Sequence, residues 1–435
     1  MGVEKLISDL KLSSVVPASI TGDDKVHEFT NMDLVMKLHY IKGVYFFKND
    51  AVEGLHSPDL KQPMFQLLEL YYQTSGRIRR SDGGDNGCRP FIKCNDSGVR
   101  IVEAKCSNKT IDEWLAMNDA CANEELSYDQ VLGPDLGFAP LVFIQFTWFK
   151  CGGLSIGLSW AHVLGDAFSA SNFLNIWAQI MAGQFPPNKF LNKPTRTNKF
   201  INIPLLLSTV GKLPFSLKKI DPVGDHWKIT NTCKMQSHSI HITQKQLNQL
   251  ISKVYGAKVK PFDVICATIW KILAKVRGEY SSEPMIVTII RREDNSCDTE
   301  TTDVSSNGQV ISIVEANNVK VYEVDTSKLT KLIAEKVVDE TRVVEELMEK
   351  ENGDSDFVVY GANLTFVNLE EARIYDLELR GKKPIFASYN ISGVGDEGGV
   401  FVLPGPEGGR IVNVVLPKDQ IEGFKNEMRE ELGVF

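Results

Sequence analysis

The strongest pattern in the chain is a pair of apolar runs, Leu141–Phe149 and Leu154–Ser159, joined by Cys151-Gly152-Gly153. Short runs rich in β-branched and aromatic residues, parted by glycine, predict a buried hairpin. The second run leads into Trp160-Ala161-His162. Beyond it Phe168, Phe173, Ile176, Trp177 and Ile180 recur at helical spacing and predict a helix over 167–182. Upstream, 44–47 reads as a strand, and 61–72 as a helix through Met64, Leu67, Leu68 and Tyr71. Phe91–Cys94 and Val99–Ala104 predict a hairpin turning at Asn95-Asp96-Ser97-Gly98. Phe46, Phe47, Tyr71, Tyr72 and Trp160 belong to the expected core.

The second half repeats this style. A helix is expected over Pro261–Arg277, opening on a proline suited to a first helical turn. Strands are expected at 284–290, 308–315, 400–403 and 411–416, one long charged helix at 326–350, and an amphipathic helix at 421–431. The glycine clusters at 393–399 and 405–409 read as hairpin turns rather than phosphate loops, since neither follows a strand into a helix. Strands and helices alternating in both halves predict an α/β fold. A chain of 435 residues exceeds one ordinary core, so two domains of roughly 200 residues are expected. Pro186, Pro187, Pro194, Pro204, Pro214 and Pro222 place a crossover linker at 184–225, between lobes at 1–183 and 226–435.

Charge changes the picture in one place. The net charge of -8 argues against nucleic acid as a partner. Yet Lys189–Lys219 holds seven basic residues and no acidic one, around the apolar run Phe200–Leu207. Two readings stand: a solvated surface linker, or a patch (Lys212, Lys218, Lys219) for an acidic membrane surface or a partner. No apolar run approaches the ~20 residues that span a bilayer, and the first residues lack the apolar region of a secretion signal. A cytoplasmic protein is expected. Its eight cysteines contain no Cys-x-x-Cys pair and read as small buried groups or incidental thiols. His238 and His241 fall on opposite faces of an expected strand, so no metal site is expected.

The candidate chemistry lies at His162. An imidazole at the end of a buried strand is either a packed structural residue or a general base, because its ordinary pKa lies near neutral pH. The surrounding Cys-Gly-Gly-x-x-x-Gly-x-Ser-x-x-His162-x-x-x-Asp166 resembles the signature of the BAHD family, the plant coenzyme-A-dependent acyltransferases. Tyr71-Tyr-Gln-Thr-Ser-Gly-Arg77, Cys94-Asn-x-x-Gly-Val99, Phe262–Trp270 and Asn363–Asn368 resemble further family elements, in order along nearly the whole chain.

The resemblance implies two similar α/β lobes of the chloramphenicol-acetyltransferase type. Each lobe would be a mixed sheet flanked by helices, with a solvent channel between them. It implies His162 as the base that deprotonates an alcohol or amine attacking an acyl-CoA thioester. It implies Asp166 turned away to brace the loop against an arginine, Arg292 or Arg291. Ser388, Tyr389 and Asn390 would line the acyl-CoA side. No cofactor is implied beyond acyl-CoA itself, as substrate or ligand, and the protein alone would be a monomer.

Two departures stand out. Ala167 replaces the family's glycine after the aspartate. The second family signature, Asp-Phe-Gly-Trp-Gly ahead of Lys383-Pro384, is degenerate here as Glu378-Leu379-Arg380-Gly381-Lys382. Together with Leu12–Ala18, Asp33–Tyr40, Val131–Leu136 and Tyr360–Asn368, this resembles the Eceriferum/Glossy-type branch of plant cuticular-wax formation. That branch implies an accessory role in very-long-chain fatty acid elongation, with a ketoacyl-CoA synthase, at the cytosolic face of the endoplasmic reticulum. The alternative is a working acyl-CoA-dependent O- or N-acyltransferase. The expectation that separates them is whether His162 lies in an open channel, or in one plugged by Lys382, Arg380 or a neighbour.

Overall fold

Two mixed β-sheets organise the chain. The structure, a computed structural model, describes residues 6–22, 24–80, 89–117, 123–128, 136–184, 213–255, 259–278, 285–292, 306–316 and 320–433. The first sheet has the order β1 (Ser8–Val15), β6 (Val99–Cys106), β7 (Val142–Phe149), β8 (Leu154–Ala161), β3 (Tyr40–Phe47) and β16 (Phe386–Ser392). Only β6 and β7 run parallel in it. The second has the order β10 (Met235–Ile242), β18 (Arg410–Pro417), β17 (Gly399–Pro404), β15 (Leu364–Asn368), β11 (Ile286–Arg292), β12 (Gln309–Glu315) and β13 (Val338–Asp339). Its central strand β15 is parallel to both β11 and β17. Two small sheets, β2 (Val26–Glu28) with β5 (Pro90–Lys93) and β4 (Arg77–Arg80), and β14 (Asp356–Val358) with β9 (Lys218–Ile220), complete the set.

The burial pattern explains the placement. β8 is buried at every position and β7 at all but Trp148, as central strands covered on both faces must be. Helices Ser57–Leu70 and Ala167–Met181 pack together, where the Trp177 indole donates to the Leu60 carbonyl at 3.0 Å. In the second lobe the helix Pro261–Arg277 buries Phe262, Ile265, Ile269 and Trp270 against the sheet and the flanking helices Thr326–Glu335 and Lys418–Leu432.

Several expectations change. Strands β5 and β6 flank the turn at 95–98 but pair in different sheets, so no hairpin forms there. Alternate residues of β6 are buried on both of its faces (Val99 and Ile101, then Val102 and Ala104), which draws that strand into the interior of the large sheet. Residues 326–350 form two helices, Thr326–Glu335 and Thr341–Lys350. Between them Val338 and Asp339 pair with β12, and the Glu340 carboxylate accepts the backbone N–H groups of Phe215 and Ser216 at 3.1 and 2.8 Å. The turn at 405–409 does close a hairpin, β17 to β18, whereas 393–399 carries the chain between sheets.

That crossing matters most. Strand β16 leaves the C-terminal half of the chain and completes the first sheet by antiparallel pairing with β3, Phe386 opposite Phe46 through Ser392 opposite Tyr40. A boundary at 184–225 therefore does not partition the strands by sequence. Residues 185–212 of that linker, with Lys212 at its end, lie outside the described residues. Its final part is anchored, with β9 pairing to β14.

Close by, a buried ion pair fastens the N-terminal half to this anchor. Lys37 lies 2.7 Å from Asp356, with both side chains 5% exposed or less. Lys37 also donates to the Gly353 carbonyl, and Asp356 accepts the Val223 N–H at 2.7 Å. Burial pulls the Lys37 pKa down while the carboxylate opposes it. Removing one member leaves the other charge uncompensated. Lys37→Ala is expected to lose about 3 kcal/mol of unfolding free energy, measured by urea denaturation. The double variant Lys37→Met/Asp356→Leu should recover most of that loss.

Candidate functional site

His162 is placed by strand pairing. Ala161, the last residue of β8, sits opposite Tyr40 of β3, and the chain then turns through a single helical turn, His162–Leu164. The backbone of His162 is fixed at both ends: its N–H donates to the His39 carbonyl at 3.1 Å, and its carbonyl accepts Asn307 Nδ2 at 2.9 Å. Gly165 follows at φ +143°, and a Cβ there would fall 2.8 Å from Ser169 and 2.9 Å from the Ser306 nitrogen. Glycine is required by that conformation and that contact.

Asp166 then caps the Ala167–Met181 helix, its carboxylate accepting the Ser169 N–H at 3.0 Å. Its backbone N–H donates to the Ser306 carbonyl at 3.1 Å. Burial pushes the Asp166 pKa up; the Ser169 hydrogen bond and the charge of Arg292 oppose the rise. Of the two arginine candidates, Arg292 faces this loop, its guanidinium 4.8 Å from the Phe168 ring centre. Arg291 instead pairs with Asp263 at 2.6 Å, because successive residues of a strand point to opposite faces.

The imidazole of His162 is sealed at 1% exposure. Nε2 lies 2.9 Å from the Tyr360 hydroxyl, and that hydroxyl donates to Gln309 Oε1 at 3.0 Å. Nδ1 makes no close hydrogen bond among the described residues, but the His162 carbonyl and the Asn307 side chain lie near enough to oppose the fall in the ring's pKa. Across the Tyr360 ring stands His39, with ring centres 4.8 Å apart and edge-on. Burial lowers the His162 pKa to about 4 and that of His39 to about 3. Burial also raises the Tyr360 phenol well above its ordinary value. All three rings are therefore neutral at pH 7. A neutral imidazole is a usable base only when a free ring nitrogen meets the proton it is to remove. Here a phenol occupies the contact at Nε2.

The degenerate loop does not plug this site. Leu379 and Lys382 exchange backbone hydrogen bonds at 3.0 and 2.9 Å around Arg380 and Gly381, both at positive φ, the geometry of a primed two-residue turn. The turn points outward: Arg380 donates to the Glu53 carbonyl, Lys382 lies 3.3 Å from Asp50, and Glu378 is exposed. Leu379 alone is buried. The side chain that meets the His162 ring is Tyr360. Within the basic patch, Lys219 is ion-paired with Glu351 at 2.9 Å, and Lys218 is exposed on β9.

Ser388, Tyr389 and Asn390 lie on β16 where the sheets meet. The Tyr389 ring lies across Gly43, where a Cβ would come within 2.3 Å of it, and its hydroxyl meets that of Tyr45 at 2.7 Å. Asn413 donates to Ser388 Oγ at 2.8 Å and to the Tyr389 carbonyl at 2.6 Å. Asn390 donates to Ser237 at 3.2 Å. A cleft of about 600 Å³ opens here, lined by Asn390–Val394 of the first sheet's edge, Met235–Ser237 of the second, and Lys42, Lys234 and Lys418. His162 is not part of its wall.

Sequence reasoning missed Tyr360, Gln309, Asn307 and His39 as members of the site. Tyr360 lies within the Tyr360–Asn368 tract that carries the branch resemblance, and that was its one available signal.

This fold and this histidine loop define a transferase class. The Transferase family model matches residues 8–431, so the chain belongs to that family, the BAHD-type transferases. It is 42% identical over 434 residues to Protein ECERIFERUM 2 of Arabidopsis thaliana, covering 97% of this chain and 98% of that one. Identity to Protein ECERIFERUM 26 of the same plant is 36% over 431 residues, at 98% and 96% coverage. Among solved structures, vinorine synthase superposes with a TM-score of 0.69 at 17% identity, covering 96% of each chain. TRI101 of F. graminearum, complexed with coenzyme A and deoxynivalenol, gives a TM-score of 0.70 at 13% identity, covering 92% of this chain and 97% of that one. These two likenesses concern the fold.

The buried histidines make stability depend on pH with a definite sign. The unfolded chain takes up protons near pH 6.5, but folded His162 and His39 do so only near 4 and 3. The unfolded state therefore binds more protons between these values, and folding weakens as pH falls through 6.5. From pH 7.5 to pH 5 each histidine is expected to cost about 2 kcal/mol. Unfolding midpoints should fall over that range, and His162→Gln should make the decline shallower.

Proposed function

We propose that this chain is a BAHD-fold accessory protein of very-long-chain fatty acid elongation for cuticular wax, acting with a ketoacyl-CoA synthase rather than transferring acyl groups itself. The observation that carries the reading is the enclosure of His162, with Nε2 held by the Tyr360 hydroxyl and no part in the inter-sheet cleft. The outward turn at 378–382 supports it, since the aromatic second signature of acyltransferases is replaced there by a surface hairpin. Similarity over nearly the full length to the two ECERIFERUM proteins supports it further.

Acyl-CoA is the expected ligand, consistent with fold relatives complexed with coenzyme A. No helix among the described residues is long and apolar enough to cross a membrane. Contact with the cytosolic face of the endoplasmic reticulum then runs through the synthase or through the basic segment that ends at Lys218 and Lys219. The second reading, an acyl-CoA-dependent O- or N-acyltransferase with His162 as base, draws on one observation: Asp166 caps the helix that follows His162, and the charge of Arg292, at the end of β11, reaches it.

Co-expression with a plant ketoacyl-CoA synthase in yeast separates the two. Wild type and His162→Ala are expected to lengthen the acyl-chain profile equally. Loss of lengthening in His162→Ala alone, with the variant still folded, would install the acyltransferase reading instead.

A further inference from the structure

One exposed phenylalanine is held out in water by a fixed backbone. The Leu217 N–H donates to the Pro214 carbonyl at 3.2 Å and closes a turn whose central residues are Phe215 and Ser216. That turn is clamped from two sides. The Glu340 carboxylate accepts the Phe215 and Ser216 N–H groups, and Asn363 donates to the Phe215 carbonyl at 2.9 Å. Ser216 and Leu217 are buried, yet Phe215 is 54% exposed. A ring on a slack loop could turn inward; this one is presented outward by its anchored neighbours.

Glu340 also joins the turn to an edge of the second sheet. Immediately before it, Val338 and Asp339 form β13, the last strand in the sheet order, and Val337 and Val338 are exposed there. Leu213, which leads into the turn, is exposed as well. Four exposed apolar side chains grouped at one edge mark an interaction surface, unlike apolar residues scattered singly.

Charge indicates what covers it. Lys218 on β9 and Lys336 beside Val337 are exposed and make no ion pair among the described residues. The nearby acids are already answered: Glu335 by Lys331 at 3.9 Å, Glu351 by Lys219 at 2.9 Å, and Asp339 by the Thr341 N–H at 2.8 Å. The stretch of sequence that leads into the turn, Lys189–Lys212, adds five basic residues and no acidic one.

We infer that this edge, centred on the Phe215 turn, rests directly on an anionic phospholipid surface, with the Phe215 ring among the acyl chains and Lys218 and Lys336 at the headgroups. Three observations choose lipid over protein. Lysine is depleted in protein interfaces, whereas lysines beside exposed apolar groups are drawn to anionic headgroups. At two residues, β13 is too short an edge to recruit a partner strand. The aromatic ring stands at the apex of a turn, a shape that enters a soft surface. The inference goes beyond the elongation reading, because it requires neither the synthase nor acyl-CoA and holds for either role of His162.

The test is flotation of the purified full chain, alone, with vesicles of phosphatidylcholine or of phosphatidylcholine mixed with phosphatidylserine. Binding is expected to the mixed vesicles only, and to weaken as salt is raised. Phe215→Ala is expected to lower the partition about tenfold. Lys218→Gln and Lys336→Gln together should lower it about 25-fold at low salt, about fivefold for each charge. Phe215→Trp should still bind, and its emission, taken as the difference from wild type, should shift to the blue with vesicles and be quenched by brominated acyl chains.

No flotation with the mixed vesicles at low salt overturns the proposal, as does flotation unchanged by Phe215→Ala. A Phe215→Trp emission that is already blue without vesicles, and unmoved by them, shows the edge covered by the chain itself. A dimer that Phe215→Ala dissociates shows it covered by a second copy. Either result overturns the proposal. The exposed ring can be truncated without opening the core, so thermal unfolding of Phe215→Ala should match wild type, and the wild-type flotation needs no variant. Failure of chain lengthening in yeast leaves the flotation result untouched, so the two readings fail separately.

Discussion

Polar groups buried where the two sheets meet must be answered by one another, and that requirement organises the centre of this protein. The segment from Ser306 to Gln309 meets most of it. Ser306 holds Asp166 and Ser169, Asn307 holds His162 and Asp33, and Gln309 holds Tyr360. Each contact joins residues more than 40 apart in the chain. Moving any of these groups would strand a buried donor or acceptor at about 1–3 kcal/mol. The seam is accordingly a cross-braced network of buried side chains.

The histidine shows how one motif supports opposite readings. Its loop has a strand end that fixes the backbone, a capped helix behind it, and an arginine whose charge opposes the rise in the aspartate's pKa. What sets this site apart is the partner at Nε2, a phenol that the protein supplies itself. Burial drives the same outcome from another side, because an imidazole held far below its ordinary pKa resists the charged state that base catalysis passes through.

Much of this was legible in the sequence, for reasons that differ by element. Strands β7 and β8 and the helices at 167–181 and 261–277 announce themselves because apolar periodicity records local burial. The family motifs placed His162 and Asp166 in one loop, where they are found. Tertiary pairing was not legible. The turn at 95–98 reads as a hairpin locally, and only the burial of both faces of β6 sends its flanking strands into separate sheets. The helix expected over 326–350 is broken by backbone pairing with β12 and by the Glu340 carboxylate accepting the Phe215 N–H, partners remote in sequence. Tyr360 has no periodicity of its own to mark it, and its role emerges only from the distance to His162.

The crossing of β16 also sets an order of assembly. Strand β3, near the N-terminus, has no neighbour on one side until Phe386–Ser392 has been made and delivered. A ribosome adding about 5–20 residues each second needs roughly 17–70 seconds to travel from Phe47 to Ser392. Throughout that interval the first sheet presents an unfinished edge, the kind of surface that recruits stray strands. The protein's yield in a cell therefore depends on what shields that edge while the chain is being made, and slower synthesis of the stretch ahead of residue 386 lengthens the exposure.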